Sequence, residues 1–440
     1  MIKVVLKLFL LAVSFQLGLA QTNFDIDKLN HYFDELERSN KFMGSVAISE
    51  KGKIIYSRTI GFVDVENKLK ANENSKYRIG SISKTFTAVL VLKAVEEQRL
   101  DLSQTIQEWF PSLKNAEKIT VENLLSHRSG IHNFTDDKSY LTWNTKPKTE
   151  KEMLDIITKG GVDFEPGTKS KYSNSNYVLL TYILEKIYGE PYSDLLQKYI
   201  TRPIGLVNTS IFSPINPVNN ECKSYSFVEN WKEESETDVT IPLGAGAIAS
   251  TAKDLTKFVD ALFTGKLLRK NSLLKMKKVD GKYGLGLFQI PFYEYKGYGH
   301  TGGIDGFSSV FSYFPDRKIT YVQVSNGTNY NNNNISIAVL SAVYNKPYEI
   351  PSFTSYTPSI DELDNCIGVY SSIAIPIKIT ITREGSVLKG QGTGQPSFPL
   401  EAIEKNKFKF DKAGLEMKFN HVEKTMIMTQ GGKMFRFTKE

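Results

Sequence analysis

Ser81-Ile82-Ser83-Lys84 sets a hydroxyl and an amine three residues apart. On a helix, positions i and i+3 share a face, so the two groups would lie side by side. An amine withdrawn from water loses affinity for its proton, and a neutral amine can accept one from a neighbouring serine. The start of a helix adds free backbone N–H groups, which favour the negative charge that develops when serine attacks a carbonyl. The chemistry this spacing serves is nucleophilic acyl transfer. The tetrapeptide alone is a weak signal, because Ser250 to Lys253, Ser272 to Lys275 and Ser386 to Lys389 repeat it. Context separates them: Ser81 both follows a glycine and opens an almost wholly apolar run through Phe86, Val89, Leu90, Leu92 and Val95. Ser386 falls in a strand-rich tail, and Ser250 reads as a cap for a helix from Ala252 to Leu262.

Other chemistries lack support. The chain has no G-x-S-x-G elbow, H-E-x-x-H or P-loop, which removes the main sequence basis for lipase, zinc-protease and ATPase readings. His127 and His132, with Asp136 and Asp137 nearby, read as ordinary loop polarity rather than metal ligands, so no metal or cofactor is expected. The balance of 55 basic against 48 acidic residues contains no long run of one sign, which points to solubility and away from nucleic-acid recognition.

The elements that must hold the Ser81 pair can be placed from periodicity. A helix is expected from Ile26 to Arg38. A hairpin follows over Gly44 to Ile60, turning at Glu50 to Lys53, and then a buried helix from Ser81 to Leu100. Residues 102 to 206 read as largely helical, with an apolar helix from Tyr177 to Tyr188. Strands return at Gly284 to Ile290, Gly306 to Phe314 and Ile319 to Ser325, before a helix from Ile335 to Tyr344. Strands at both ends with helices between imply a sheet built from sequence-distant pieces and an inserted helical layer. Prolines between Lys346 and Pro358 mark a linker, 346–359. Beyond it Ile377, Ile379 and Ile381, Phe408 and Phe410, and Phe435 and Phe437 alternate with polar residues, with Gly385, Gly414 and Gly431-Gly432 between runs. That is the pattern of a small all-β barrel or sandwich over 360–440.

At 440 residues the chain has room for two or three domains. Lys3 and Lys7, an apolar core from Leu8 to Val13 and small residues Gly18 and Ala20 read as a signal peptide over 1–20, cleaved after Ala20. The catalytic unit is then 21–345, in a secreted or periplasmic protein with no transmembrane segment in the mature chain. Cys222 and Cys366 fall in different units, and nothing in the sequence fixes their separation.

With these residues in view, the chain resembles the serine hydrolases of the class C β-lactamase and low-molecular-mass penicillin-binding protein family. Ser81 to Lys84 looks like its S-x-x-K, Tyr172-Ser173-Asn174 like its Y-x-N, and His300-Thr301-Gly302 like its K/H-T-G. The flanks agree: Leu124 to Gly130, Glu165-Pro166-Gly167 and Gly244 to Asp254 resemble the family's segments at these places. The resemblance implies an α/β (α+β) fold, in which an antiparallel sheet flanked by helices carries an inserted helical subdomain. A lipocalin-like barrel follows, with Leu363 to Tyr370 as its opening strand.

It also implies roles. Ser81 would be the nucleophile and Lys84 its partner. Tyr172 would complete proton transfer as a phenolate or as a relay from Lys84. Asn174 would position the substrate's amide, Thr301 would bind its carboxylate or orient the proton network, and His300 would stand where that carboxylate is held. The N–H groups of Ser81 and Gly303 would form the oxyanion hole. Histidine in place of lysine at 300 looks like certain D-alanyl-D-alanine peptidases, and it weakens the hold on an anionic substrate. The reading is therefore a D-alanyl-D-alanine carboxypeptidase-like peptidase acting through an acyl-enzyme on small peptides, with cell-wall peptidoglycan as a candidate partner. A β-lactamase or carboxylesterase on the same site is the alternative. A binding or scaffolding protein without turnover is the other, and intact Ser81, Lys84, Tyr172 and His300 speak against it.

Overall fold

The computed structural model describes residues 24–353, 356–430 and 433–440. The signal-peptide segment and the Gly431-Gly432 turn lie outside them. No helix among the described residues is long and apolar enough to cross a membrane.

Helix α1 (Ile26–Arg38) is capped by the Asp25 carboxylate, which accepts the Lys28 N–H at 2.8 Å. Strands β1 (Phe42–Glu50) and β2 (Lys53–Ile60) form the expected hairpin, turning at Lys51 and Gly52, both at positive φ. Helix α2 (Ser83–Glu96) is buried along nearly its whole length. Helix α3 (Asn174–Tyr188) is the second apolar helix and ends at a left-handed Gly189. A short hairpin, β3 (Tyr225–Phe227) and β4 (Trp231–Glu233), precedes helix α4 (Ala252–Phe263). The last part of the sheet is β5 (Phe288–Phe292), β6 (Tyr295–Ile304), β7 (Phe307–Phe314) and β8 (Ile319–Thr328), followed by helix α5 (Asn332–Val343).

The sheet order is β5-β6-β7-β8-β1-β2, with β3 beside the end of β8. The N-terminal hairpin thus pairs with a strand almost three hundred residues away, Val46 opposite Gln323. Period-two alternation decides which layer each residue enters. Val46 and Ile48 pack with Leu29, Phe33 and Val339 of α1 and α5 on one face, while Ala47 faces the core of α2 and α3 on the other. Phe86 of α2 stacks on Phe258 of α4 at 3.6 Å between ring centroids.

Residues 368–439 contain a closed barrel of eight antiparallel strands, whose interior is filled by Leu388, Phe408, Met417, Met426 and Phe437. Its link to the rest is electrostatic in part: Lys41, buried just before β1, pairs with Glu401 and with Asp411, the latter at 3.1 Å.

Several expectations shift. The helix expected from Ser81 starts as a 3-10 turn, Gly80–Ile82, and becomes α-helical at Ser83. The strand expected from Gly284 starts at Phe288, because the backbone at Gly286 adopts φ +70° against Ala88 and Lys84 O. The helix after Ser250 is capped by Thr251, with Ser250 in a short strand. Leu363 belongs to a short helix, Ile360–Asp364, and the first barrel strand is Gly368–Ser371. Cys222 and Cys366 are both buried free thiols in separate cores.

Candidate active site

Gly80 turns the chain from a short strand into the Ser81 turn with φ +49°, and a Cβ there would lie 2.8–2.9 Å from the backbone of Gly303. Gly302 is equally tight, since a Cβ would meet Ile79 O at 2.0 Å. Gly80 and Gly302 thus let strand β6 lie directly against the Ser81 turn. The backbone of Gly303 is thereby brought against that of Gly80, the residue before Ser81.

Behind Ser81 lies Lys84, whose side chain has no solvent exposure. Its Nζ sits 3.0 Å from Ser81 Oγ, 2.7 Å from Asn174 Oδ1 and 2.7 Å from Ala245 O. Burial holds this amine well below the ordinary lysine range. A neutral amine has two N–H bonds and one lone pair. It can donate to Asn174 Oδ1 and Ala245 O and turn its lone pair to the Ser81 hydroxyl.

Each partner is fixed in turn. Ala245 comes on a short turn, Leu243–Gly246, wedged between α2 and α3. There Thr87 Oγ1 donates to Gly244 O at 2.7 Å, and the Gly244 N–H donates to Thr181 Oγ1 at 3.0 Å. A Cβ on Gly244 would collide with both threonines. Asn174 opens α3; its Nδ2 donates to Thr135 Oγ1 at 3.0 Å, and its backbone N–H to Asn133 Oδ1 at 2.9 Å.

Tyr172 is mostly buried, its ring centroid 4.9 Å from Lys84 Nζ. Burial raises its phenol well above the ordinary range, and the nearby Ser81 hydroxyl offsets only part of this. The ring rests on His127 at 4.4 Å, and His127 Nδ1 accepts the Ser173 N–H at 3.2 Å. His127 sits at φ +56° and is held well below the usual histidine range by burial and then by the nearby Lys84.

His300 is 1% exposed, stacked on Phe288 at 4.1 Å, with Nδ1 2.6 Å from Thr301 O. Its Nε2 is buried and has no hydrogen-bond partner among the described residues. Burial, with the Lys84 amine as the smaller cause, pushes it down to about 3. At neutral pH it is an uncharged ring.

A cavity of about 280 Å³ opens in front of Ser81. Of the residues singled out in the sequence, Ser81, Asn174 and Gly303 line it. Lys84, Tyr172 and His300 gather near Ser81 without lining it, and Thr301 is exposed on β6 outside the lining. Asn174, expected to hold a substrate amide, has its side chain committed to Lys84 and Thr135.

Other wall residues carried no sequence signal. Asp305 receives Arg78 Nη1 at 3.0 Å, the Thr237 N–H at 3.0 Å and the Thr237 hydroxyl at 2.6 Å. Arg78 is buried, lies over the Phe212 ring and also pairs with Glu236. Only tertiary structure joins these residues, so no spacing could have revealed them. His132, set aside as a metal ligand, bonds Asp163 at 3.0 Å and Asp137 at 3.2 Å; the hydrogen bond to the Asp163 carboxylate leads in raising its pKa.

The Beta-lactamase family model matches residues 30–345. Penicillin-binding protein PbpX of Bacillus subtilis (strain 168) is 28% identical over 331 residues, covering 73% of this chain and 78% of that protein. The teichoic acid D-alanine hydrolase of Staphylococcus aureus (strain NCTC 8325 / PS 47) is 26% identical over 265 residues, 59% of this chain and 65% of that one. Among solved structures, D-amino acid amidase from Ochrobactrum anthropi SV3 superposes with a TM-score of 0.65 at 27% identity, covering 72% of this chain and 99% of that one.

Proposed function

The chain belongs to the beta-lactamase family of serine hydrolases, and from that premise we propose that it cleaves amide or ester bonds of D-amino-acid derivatives through an acyl-enzyme on Ser81. The single observation that carries this reading is the fully buried Lys84 amine 3.0 Å from Ser81 Oγ, with its two other hydrogen-bond directions already taken.

In this reading Lys84 is the base. Its pKa is lowered by burial while that of Tyr172 is raised, so the neutral amine is the available proton acceptor and the phenol stays protonated. Ser81 gives its proton to Lys84 Nζ as Oγ attacks the substrate carbonyl. The N–H groups of Ser81 and Gly303 hold the oxyanion. The proton passes through the Tyr172 hydroxyl to the leaving nitrogen or oxygen, whose bond to carbon breaks and leaves the acyl-enzyme. Water then adds by the same route in reverse, and Ser81 is released with its proton.

Relatives named for D-amino acid amides and for D-alanine on teichoic acid support a D-configured acyl group. The D-alanyl-D-alanine carboxypeptidase expected from the sequence is the peptidase form of this chemistry. It has less support from the site, since a neutral His300 offers a terminal carboxylate no charge. Export behind a cleaved leader, cell-wall substrates and the domain limits 21–345 and 360–440 belong to the same proposal. Turnover of D-alaninamide, a D-alanyl-D-alanine peptide, a chromogenic cephalosporin and a short acyl ester tests it. Cleavage of the cephalosporin alone would replace this reading with that of a β-lactamase.

A further inference from the structure

The walls of the Ser81 cavity carry an uneven charge. Among the described residues its lining includes Glu234 and Asp305 but no lysine or arginine. Asp305 is used up by Arg78 and Thr237, and the Arg78 guanidinium is already shared with Glu236. Glu234 differs. Its side chain makes no hydrogen bond and no ion pair among the described residues, although it is partly buried.

Its position is fixed by the backbone. The residue follows β4, its N–H donates to Ser224 O at 2.9 Å, and its Cγ lies against Gly306, where an added Cβ would come within 3.1 Å. Gly306 closes the Asp305-Gly306 turn that follows strand β6, which carries Gly303. Apolar groups, Phe134, Tyr140, Leu141 and Ile304, form other parts of the wall. A carboxylate partly withdrawn from water and left unpaired costs free energy that a cation on the ligand would offset. A substrate carboxylate would meet like charge instead, which selects against it.

We propose that Glu234 selects the substrate by pairing with an ammonium on its acyl part, so that this site takes D-aminoacyl amides or esters with a free amino group. The inference rests on the hydrolase reading above and narrows its substrate class. Size agrees, because about 280 Å³ is below the roughly 300–1,000 Å³ of pockets for drug-sized ligands and suits a single aminoacyl group.

Binding is tested apart from turnover on the Ser81→Ala protein, titrated calorimetrically with D-alaninamide and N-acetyl-D-alaninamide. The free amine should bind at least about tenfold more tightly, and the added Glu234→Gln substitution should bring the two within about twofold. Glu234→Asp should retain part of the preference. In the protein with Ser81 intact, Glu234→Gln should raise KM for D-alanine p-nitroanilide about tenfold more than for its N-acetyl form, with the smaller effect on kcat. Equal affinities for the two amides, or a Glu234→Gln effect that is the same for both, overturns the role of Glu234. Ammonium-selective binding without any turnover supports Glu234 and instead sinks the hydrolase reading.

Discussion

Gly80 and Gly303 meet backbone to backbone, so closely that a methyl group on Gly80 would lie 2.8 Å from Gly303 N. The contact joins the turn that carries Ser81 to the strand that carries Gly303, the proposed second oxyanion donor. Gly80 also adopts φ +49°, where a side chain is strained. Gly80→Ala should therefore push the two donors apart. We expect kcat/KM on a neutral acyl ester to fall about 10²- to 10³-fold, the cost of losing one oxyanion donor. A value within threefold of the unaltered protein would contradict the assignment of Gly303.

Lys84→Met matches the side chain only as far as Cε and removes the base. Acylation should slow by about 10²- to 10⁴-fold, as for loss of a general base, and stability should gain a distinctive pH signature. In the unfolded chain lysine holds its proton up to about pH 10.4, while in the folded chain burial holds this amine well below that. The unfolded state therefore binds the extra proton between those two values, and the stability of the Lys84 protein rises with pH across that window by about 1.4 kcal/mol per unit. Denaturant unfolding at pH 7 and pH 9 should show this rise for the Lys84 protein and a smaller one for Lys84→Met. Identical pH slopes would mean that Lys84 is charged in the folded state.

The histidines should separate in an NMR titration. His300, at about 3, and His127, held low by burial, should show no ring shift between pH 5 and pH 8. His132 should titrate above the usual 6.5, raised by hydrogen bonding to Asp163 and Asp137. The sign follows for stability: the contribution of His132 is complete below pH 6.5 and is lost as pH rises through its folded value. A His300 titration near pH 6.5 would restore a cation to the site and reopen the carboxypeptidase reading.

The sequence made the repeating elements legible and left the convergent ones hidden. The bounds of α1 and the β1–β2 hairpin follow from apolar periodicity and the Lys51-Gly52 turn, because local pattern and burial agree there. The order Ser81, Tyr172, His300 is linear information, and the fold gathers these residues near one another. Arg78, Glu234, Ala245 and Asp305 reach the site by tertiary placement, three of them through a backbone atom or an ion pair that no spacing encodes. The 3-10 start at Gly80 was hidden for another reason: it depends on the close approach of Gly303 more than on helix propensity.

The barrel is tied to the sheet through Lys41, whose buried ammonium faces Glu401 and Asp411. Lys41→Met leaves those carboxylates without their shared cation. Glu401 is more than a third exposed and should matter less than Asp411. A loss on the order of 2 kcal/mol is expected in denaturant unfolding, with faster proteolysis between residues 346 and 359. Unchanged stability and unchanged cleavage would show that the barrel is held by other contacts.

The most direct test of the account is intact-protein mass spectrometry after brief mixing with a D-alanyl ester, run beside the Ser81→Ala protein. One added D-alanyl mass, localised by peptide mapping to Ser81 and absent from Ser81→Ala, is the expected result. An adduct that survives Ser81→Ala, or turnover of the ester by Ser81→Ala at an undiminished rate, would contradict it.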